Sequence, residues 1–302
     1  MRDSAVGALL GAFVGDALGM PYEGQPGRVV PERVDMRDGR AAAGSYTDDT
    51  QMMIALAESL LRSDGIEDED LAVAFRAQYE PERGYGSGTR TVISLWDQGV
   101  AVSEAATRTF GEGSNGNGAA MRVAPVGVRF FREEARVVTE ARRSALVTHA
   151  HPEGADGAVV QAVAVAAAVA GLNPLAAALA VVSTTPMQRR LEELAAISAR
   201  DLDPRELGGP NWAVAYSATA SVPVAVALGS RAQSFEQAVT LAVRCGGDTD
   251  TVAAMAGAIA GARFGASSIP ARWYAALEDG EHGRSHVERL AVALAEAVRS
   301  SD

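Results

Sequence analysis

The chain has 302 residues and a formal net charge of -11, and 48% of its residues are apolar. This acidic balance argues against a broad surface for nucleic acid or for an anionic membrane. Aromatic residues make up only 5% of the chain, which favours closely packed helices over a β-sandwich. We therefore expect a helical protein with a substantial core and small-molecule partners.

The chain shows no break that would divide it. It contains no Pro/Ser linker or low-complexity block, so we predict one domain over residues 1–302. The single cysteine, Cys245, excludes a disulfide within the chain, and the opening MRDSAVGALL lacks the pattern of a signal peptide. These features predict a cytoplasmic location. An apolar segment from Gly157 to Ser183 is interrupted at 171–174, and each half is shorter than the ~20 residues that span a bilayer. We predict two buried helices there and no membrane contact.

Apolar residues recur at helical spacing along the chain, while the alternation typical of strands is scarce. The sequence therefore predicts an all-α fold. Two stripes of apolar residues run through 53–61 and 252–262, and further helices are predicted at 3–18, 70–79, 89–98, 102–108, 133–147, 157–170, 174–182, 186–199, 211–228, 234–244 and 286–299. Loops rich in Gly, Pro, Asn or Asp are predicted at Pro21–Gly44, Pro81–Gly88, Phe110–Gly118, Thr148–Asp156 and Asp201–Pro210.

Glycines recur at four-residue spacing in two segments, GALLGAFVGDALG at 7–19 and the stretch with Gly257, Gly261 and Gly265. This spacing leaves one face of a helix almost bare, so that a neighbouring helix can approach closely. The same spacing marks membrane dimers. The adjoining Arg263 and acidic residues favour a tightly packed central helix of a soluble protein instead.

Two acidic clusters, Thr47-Asp48-Asp49-Thr50 and Asp248-Thr249-Asp250-Thr251, each stand immediately before a helical stretch. A helix start needs only one or two oxygen acceptors for its N–H groups. If the carboxylates converge, their repulsion requires a counter-charge, and oxygen ligands suit Mg²⁺ or Mn²⁺. The alternative is that Thr47 or Asp48 caps one helix and Asp248 the other, with the remaining acids solvated or paired with arginine.

Five motifs in this order resemble the ADP-ribosylglycohydrolase family. They are GAFVGDALGMPYEG at 11–24, YTDDTQM at 46–52, GSNGNGAAMRVAPVG at 113–127, THAHPEG at 148–154 and CGGDTDTVAAMAGAIAG at 245–261. The resemblance implies an all-α domain of many helices around a central site for two divalent metals, Mg²⁺ or Mn²⁺. By motif match the implied metal ligands are Thr47, Asp48, Asp49, Asp248, Asp250 and Thr251, while Thr50 and Thr249 are expected to cap helices or support the ligands.

The same resemblance implies hydrolysis of the glycosidic bond between ADP-ribose and an acceptor. The metals would bind the distal ribose and a water, and a carboxylate would transfer a proton. Glu23 matches the acidic residue of a mobile loop in the family, so it is the candidate catalytic residue. Asp16, in the same motif, is expected at a helix end or behind the ligands.

The substrate-binding residues that the resemblance implies are Gly113, Ser114, Asn115, Gly116, Phe110 and His149. A glycine-rich loop exposes N–H donors to phosphate oxygens, so the loop at 113–118 is expected to hold the diphosphate. Phe110 is a candidate for stacking on adenine, although Asn115 stands where some eukaryotic members have an aromatic residue. His151 either orients His149 or forms a turn.

The acceptor is left open by the sequence. Tyr85 stands where the nitrogenase-regulating member of the family has an aspartate, so an arginine-linked substrate is not implied, and nucleic acid is expected only as a modified acceptor. Because of Asn115 and Tyr85, hydrolysis of another glycosyl or phosphoribosyl metabolite is the first alternative. A non-catalytic, crystallin-like member is the second, but all six implied ligand positions are filled.

Overall fold

The computed structural model describes residues 1–198, 202–209 and 211–299, and the regular secondary structure within them is almost entirely helical. This confirms the predicted all-α class. The α-helices are α1 (Arg2–Gly19), α2 (Asp48–Arg62), α3 (Asp68–Ala77), α4 (Ser87–Asp97), α5 (Val102–Ala105), α6 (Ala124–Arg129), α7 (Glu134–Leu146), α8 (Pro152–Val169), α9 (Pro174–Val181), α10 (Thr185–Ala196), α11 (Pro204–Leu207), α12 (Ala218–Arg231), α13 (Phe235–Arg244), α14 (Thr249–Phe264), α15 (Ala271–Ala276) and α16 (Arg284–Arg299).

Helices α1 and α14 lie antiparallel at the centre of the fold and touch through their backbones. Along this contact Gly7 faces Gly261 and Gly11 faces Gly257, and a Cβ atom added at any of these glycines would overlap the carbonyl oxygen opposite. Gly15 and Gly19 continue the contact toward the start of α14. The bare faces predicted from the glycine spacing thus pack against each other, and they place the end of α1 beside the second acidic cluster.

Other helices surround this central pair. Helix α8 is buried along nearly its whole length, and the Gln161 side chain donates a hydrogen bond to the Met255 carbonyl in α14 at 2.9 Å. The apolar segment at 157–183 therefore forms two helices, α8 and α9, as predicted. The prediction that both are buried is wrong for α9, which buries only one face and leaves Ala176 and Ala180 exposed. Among the described residues, the stretch Arg2–Tyr22 is long and apolar enough to cross a membrane, but 83% of its 18-residue apolar window is buried inside the fold.

The two strands in the described part of the chain have only two residues each. Strand β1 (Gln25–Pro26) pairs antiparallel with β2 (Gly246–Gly247). Both glycines of β2 have positive φ and lie against backbone atoms of Gly27, Trp212 and Val214, so a side chain at either position would clash. These glycines allow close approach of the protein's own chain, and they fix the loop that leads into α14.

Two of the helix predictions are wrong at their starts. Helix α8 begins at Pro152 rather than 157, because His151 caps it and proline is well suited to the first turn. Helix α12 begins at Ala218 rather than 211, since the segment before it is bonded to other chain segments. The Val214 N–H donates to Gly246 and its carbonyl accepts from Asp248.

Several short helices were not predicted. They are α6, α11 and α15, of six, four and six residues, which are too short to show a helical period. Residue 199, at the end of the predicted helix 186–199, lies outside the described residues, as do Asp201 and Pro210 at the ends of a predicted loop.

The glycine contact yields a stability prediction. In Gly11→Ala, the added methyl would overlap the Gly257 carbonyl, and no rotamer change relieves a clash with backbone. Overpacking costs about 3 kcal/mol at its upper end and outweighs the ~1 kcal/mol gained in helix propensity. We therefore expect denaturant unfolding to show a net loss of about 2 kcal/mol.

The matched control for this prediction is Gly280→Ala, which adds the same methyl in open space. Its free energy of unfolding is expected to stay within ~0.5 kcal/mol of the wild type. A Gly11→Ala protein as stable as Gly280→Ala would contradict the close approach of α1 and α14.

Candidate active site

The first acidic cluster forms the start of α2, and its capping needs are met without Asp48 or Asp49. The Thr47 hydroxyl oxygen accepts from the Asp49 N–H at 3.3 Å. From α1, the buried Asp16 carboxylate accepts from the Thr47 and Thr50 N–H groups and from the Thr50 hydroxyl at 2.6 Å. Asp16 and Thr50 therefore fix the start of α2, while the carboxylates of Asp48 and Asp49 line a cleft.

The second acidic cluster meets the first at the start of α14. The Thr249 hydroxyl donates to the Gly19 carbonyl at 2.8 Å and so ties α14 to α1. The Thr251 hydroxyl donates to Asp49 Oδ2 at 3.3 Å, although the two residues are 202 positions apart. The Asp248 side chain occupies the N-cap position without making a cap hydrogen bond. Capping thus leaves the carboxylates of both clusters available to a ligand.

Glu23 joins this cluster from the loop after α1. One carboxylate oxygen of Glu23, one of Asp248 and one of Asp250 lie within 4.8 Å of one another. The Arg40 guanidinium contacts Glu23 Oε2 at 2.8 Å and Asp250 Oδ2 at 3.5 Å. Arg40 was not singled out in the sequence, since a charged loop residue gives no periodic signal.

The carboxylates are in an environment that opposes their ionisation. Burial raises the pKa of Asp248 to about 6 and that of Asp48 to about 7, with the nearby Asp16 contributing to the latter. Burial and neighbouring carboxylates hold the pKa values of Asp49 and Asp250 well above their ordinary range. So many acids in one buried place are stable as anions only with a strong positive counter-charge.

A divalent cation fits the residues present. Asp49 Oδ1 is buried without a hydrogen-bond partner, and a buried polar atom in that state carries a desolvation cost. The atoms around it are carboxylate and hydroxyl oxygens, the donor set that hard cations prefer. The unpartnered oxygen and the raised pKa values both indicate a position for a cation.

The glycine-rich loop is tied to the second acidic cluster through Asn117. Its side-chain amide donates to Asp248 Oδ2 at 2.5 Å and to the Ser221 hydroxyl at 2.9 Å. The backbone of the loop also pairs with the extended segment before α12, since the Asn117 N–H donates to the Tyr216 carbonyl. Asn117 therefore fixes the loop and the Asp248 carboxylate relative to each other.

His149 lies beside the loop in a neutral state. Burial and the Arg122 guanidinium lower its pKa to about 3. Its Nδ1 lies 2.8 Å from the Thr148 hydroxyl, which leaves Nε2 directed toward Gly116 and Gly118. The Arg122 side chain is itself buried and donates to the Ser144 carbonyl and the Thr148 hydroxyl. His151 does not orient His149, because its Nδ1 accepts from the Glu153 N–H.

One cleft of about 340 Å³ gathers most of the predicted site residues. The predicted residues that line it are Glu23, Asp48, Asp49, Phe110, Ser114, Asn115, Gly116, His149, Asp248, Asp250 and Thr251. Two predicted residues do not line it. Thr47 is buried in the cap of α2, and Gly113 has a positive φ and packs behind the loop against Ala150 and His151. The placement of Gly113 favours a turn role over contact with ligand.

Two aromatic residues stand at the mouth of the cleft. Phe110 is 70% exposed and has a φ of 51°, an uncommon conformation for a bulky residue. Tyr216 is 53% exposed, and burial together with the charges of Glu23 and Asp248 raises its pKa to about 12. Phe110 therefore marks the end of the cleft near Gly88, and Tyr216 marks the acidic end.

Tyr85 does not face the cleft. Its ring is buried, and its hydroxyl donates to Gln51 Oε1 at 2.8 Å. The neighbouring Gly84, Gly86, Ser87 and Gly88 line the cleft instead. The identity of residue 85 is therefore a weaker indicator of the acceptor than the sequence suggested.

Buried carboxylates at two helix starts, next to a glycine-rich loop, make up the site of this all-α protein. The comparison with protein families gives its class. The chain belongs to the ADP-ribosylglycohydrolase family, whose model matches residues 1–302. The resemblance seen in the sequence is thereby confirmed.

Individual relatives cover most of the chain. ADP-ribosylhydrolase ARH3 of Bos taurus is 32% identical over 321 residues, covering 90% of this chain and 88% of the relative. An uncharacterized protein of Archaeoglobus fulgidus is 33% identical, with 98% and 97% coverage. A solved chain described as an ADP-ribosylglycohydrolase-related protein complex has a TM-score of 0.79 and 30% identity, with 98% of both chains covered. These similarities support glycohydrolase activity on ADP-ribose.

Asp16 supports the site without lining it, which gives a test. In Asp16→Asn, one acceptor oxygen facing Thr47 and Thr50 becomes an NH₂ donor, so we expect a loss of about 1–3 kcal/mol in unfolding free energy. Because the start of α2 loosens, we also expect weaker Mg²⁺ binding by calorimetry.

The control is Asp156→Asn. Asp156 is equally buried and accepts from four donors of Ser183 and Thr184, away from the cleft. Asp156→Asn should lose a similar amount of unfolding free energy but bind Mg²⁺ with the wild-type affinity. Equal losses of Mg²⁺ affinity in both variants would contradict a positioning role for Asp16.

Proposed function

We propose that the protein is a metal-dependent hydrolase that cleaves the glycosidic bond of ADP-ribose attached to an acceptor. The observation that carries the proposal is the meeting of the two acidic clusters, where the Thr251 hydroxyl contacts Asp49 Oδ2 and Asp49 Oδ1 is buried without a partner. The cleft above it continues to a glycine-rich loop. Family membership supports ADP-ribose as the ligand.

The proposed metal ligands are the six residues Thr47, Asp48, Asp49, Asp248, Asp250 and Thr251. Thr47 does not line the cleft, but its hydroxyl lies 3.2 Å from Asp49 Oδ2 and so borders the same centre from behind. Four of them are carboxylates, whose formal charge balances two divalent cations such as Mg²⁺ or Mn²⁺. When bound, such cations polarise ribose hydroxyls and make a water more acidic. The helix starts hold the carboxylates in place through Asp16, Thr50 and Thr249, so little rearrangement of the side chains is required.

Glu23 is the proposed proton-transfer residue. Its carboxylate lies beside Asp248 and Asp250 at the edge of the cleft, where an acceptor atom leaving the ribose would emerge. From there it can accept a proton from water or donate one to the leaving group. Arg40 contacts it at 2.8 Å and holds the side chain at this position.

The diphosphate is proposed to lie on the loop at 114–118. Among the described residues, the N–H groups of Ser114, Asn115 and Gly118 donate to no backbone carbonyl, which leaves them available to phosphate oxygens. Neutral His149 lies against the same loop and contributes a ring nitrogen without charge. Exposed Phe110 at the end of the cleft offers a ring face to adenine.

A second candidate function is hydrolysis of another glycosyl or phosphoribosyl metabolite on the same residues. Asn115 favours it, because it lines the cleft as an exposed amide and leaves Phe110 without an aromatic partner from this loop. Calorimetric titration with ADP-ribose and Mg²⁺ distinguishes the two. Saturable binding favours ADP-ribose, and turnover of any ADP-ribosylated substrate also excludes a non-catalytic protein.

The acceptor is identified by a panel of defined substrates in which ADP-ribose is linked to arginine, to serine, to a nucleic-acid end or to a small metabolite. Each is assayed with Mg²⁺, with Mn²⁺ and with chelator. We expect release of ADP-ribose from at least one substrate with metal and from none with chelator. Absence of release from every substrate, together with absence of ADP-ribose binding, would contradict the proposed function. The cytoplasmic location stays a prediction from the sequence.

Removing a carboxylate from the centre of the site tests the metal ligands. In Asp49→Asn and Asp250→Asn we expect loss of metal-dependent activity by about 10³-fold or more, and loss of the rise in melting temperature that Mg²⁺ gives the wild type. Without metal both variants should melt at or above the wild-type temperature, because each removes a source of repulsion.

The control for the ligand variants is Glu82→Gln, which neutralises an exposed carboxylate outside the cleft. It should retain both activity and the effect of Mg²⁺. A fully active Asp49→Asn protein would be incompatible with the proposed centre.

Glu23 is tested separately from the metals. Glu23→Gln keeps the shape of the side chain but cannot exchange a proton, so we expect kcat to fall by about 10²- to 10⁴-fold with KM and Mg²⁺ affinity changed little. Glu32→Gln, an exposed residue of the same loop, should behave as the wild type. An unchanged kcat in Glu23→Gln would remove Glu23 from proton transfer.

A further inference from the structure

A second group of possible metal ligands lies outside the cleft. It consists of Glu58 in α2, His282 in the turn before α16, and His286 in the first turns of α16. One ligand atom from each lies within 4.8 Å of the other two. The two imidazole rings are 5.4 Å apart, edge to face, and His286 Nε2 lies 2.8 Å from Glu58 Oε1. We name these three residues the His–Glu cluster.

We propose that the His–Glu cluster binds a transition-metal dication of the Zn²⁺ class. Two imidazole nitrogens and one carboxylate oxygen are a ligand set that zinc takes in proteins, with a water as the fourth ligand. Zinc holds such ligands at about 2.0–2.1 Å, which spaces them roughly 3.3 Å apart in a tetrahedron. The 2.8 Å pair would therefore separate by about half an ångström, within the freedom of partly exposed side chains.

The cluster has further features of a built site. The second oxygen of Glu58 accepts from Gln78 Nε2 at 2.6 Å, and a hydrogen bond of this kind orients a metal-binding carboxylate. All three residues are half-buried, so their side chains are partly confined but keep the small freedom that this adjustment needs. The chain has only four histidines, and the other two, His149 and His151, lie elsewhere. Two of the four histidines, His282 and His286, therefore lie beside the Glu58 carboxylate.

A charged group also contacts the cluster. Arg289 Nη2 lies 3.4 Å from His286 Nδ1, and its positive charge opposes the binding of a dication. Glu281, which is exposed and precedes His282 in the chain, carries the opposite charge. Since Arg289 is an exposed side chain at a long hydrogen-bond distance, we expect it to swing away when a metal binds and to weaken that binding.

Occupancy would join two helices that are distant in sequence. Glu58 lies on α2, the helix that Thr47 caps, whereas His282 precedes α16 and His286 lies in its first turn. A metal at this position would fasten α16 to α2 and stabilise the folded state by mass action. This role is independent of the proposed hydrolase function, because none of the three residues lines the cleft.

The test is a calorimetric titration of the full chain with Zn²⁺ while Mg²⁺ saturates any site built from oxygen ligands alone. We expect one Zn²⁺ per chain and a rise in melting temperature. In His282→Ala the affinity should fall at least about tenfold, and in Arg289→Ala it should increase. With Co²⁺ in place of Zn²⁺, visible absorption typical of tetrahedral coordination should appear in the wild type and be absent in His282→Ala.

His151→Ala is the matched control, since it removes a histidine that caps α8 and lies outside the cluster. It should bind Zn²⁺ as the wild type does. The proposal is overturned if the wild type and His282→Ala bind Zn²⁺ with the same affinity and stoichiometry. It is also overturned if His151→Ala, with its fold intact by circular dichroism, loses as much Zn²⁺ affinity as His282→Ala.

Discussion

The close contact between α1 and α14 is the constraint on which the site depends. Their glycine faces bring the backbones together, so the end of α1 and the start of α14 reach the same place. Asp16 on α1 then fixes the start of α2, and Thr249 on α14 bonds back to Gly19. A wider spacing of the two helices would separate the acidic clusters, because each is held through this pair.

The electrostatics of the site follow from that packing. Bringing carboxylates into a buried space costs free energy, and for the same reason burial raises the pKa values of Asp48, Asp49 and Asp250. Stability alone would favour apolar residues at these positions. The presence of these carboxylates therefore indicates a function for concentrated negative charge. Arg40 contacts Glu23 and Asp250 and offsets a small part of that charge.

The sequence predicted the helical class, because apolar periodicity is a local signal. The excess of acids at two helix starts left the meeting of the clusters as one of two alternatives, and the family resemblance implied that they share a metal site. The sequence did not predict the extended segment before α12, because that segment was included in the predicted helix at 211–228. That segment is fixed by hydrogen bonds to Gly246, Asp248 and Asn117, and such distant partners leave no periodic trace. Arg40 and Tyr216 were missed for the same reason, since only the folded chain brings them to the cleft.

The extended segment before α12 also fixes the position of the glycine-rich loop relative to the second acidic cluster. The Val214 carbonyl accepts from the Asp248 N–H, and the Tyr216 carbonyl accepts from the Asn117 N–H. Asn117 in turn donates its amide to Asp248 Oδ2, which closes a ring of bonds between the glycine-rich loop and the second acidic cluster. Because each member is held from two sides, a shift of the loop displaces the Asp248 carboxylate as well. The distance between the glycine-rich loop and the acidic centre is thus set by two backbone hydrogen bonds together with the Asn117 amide.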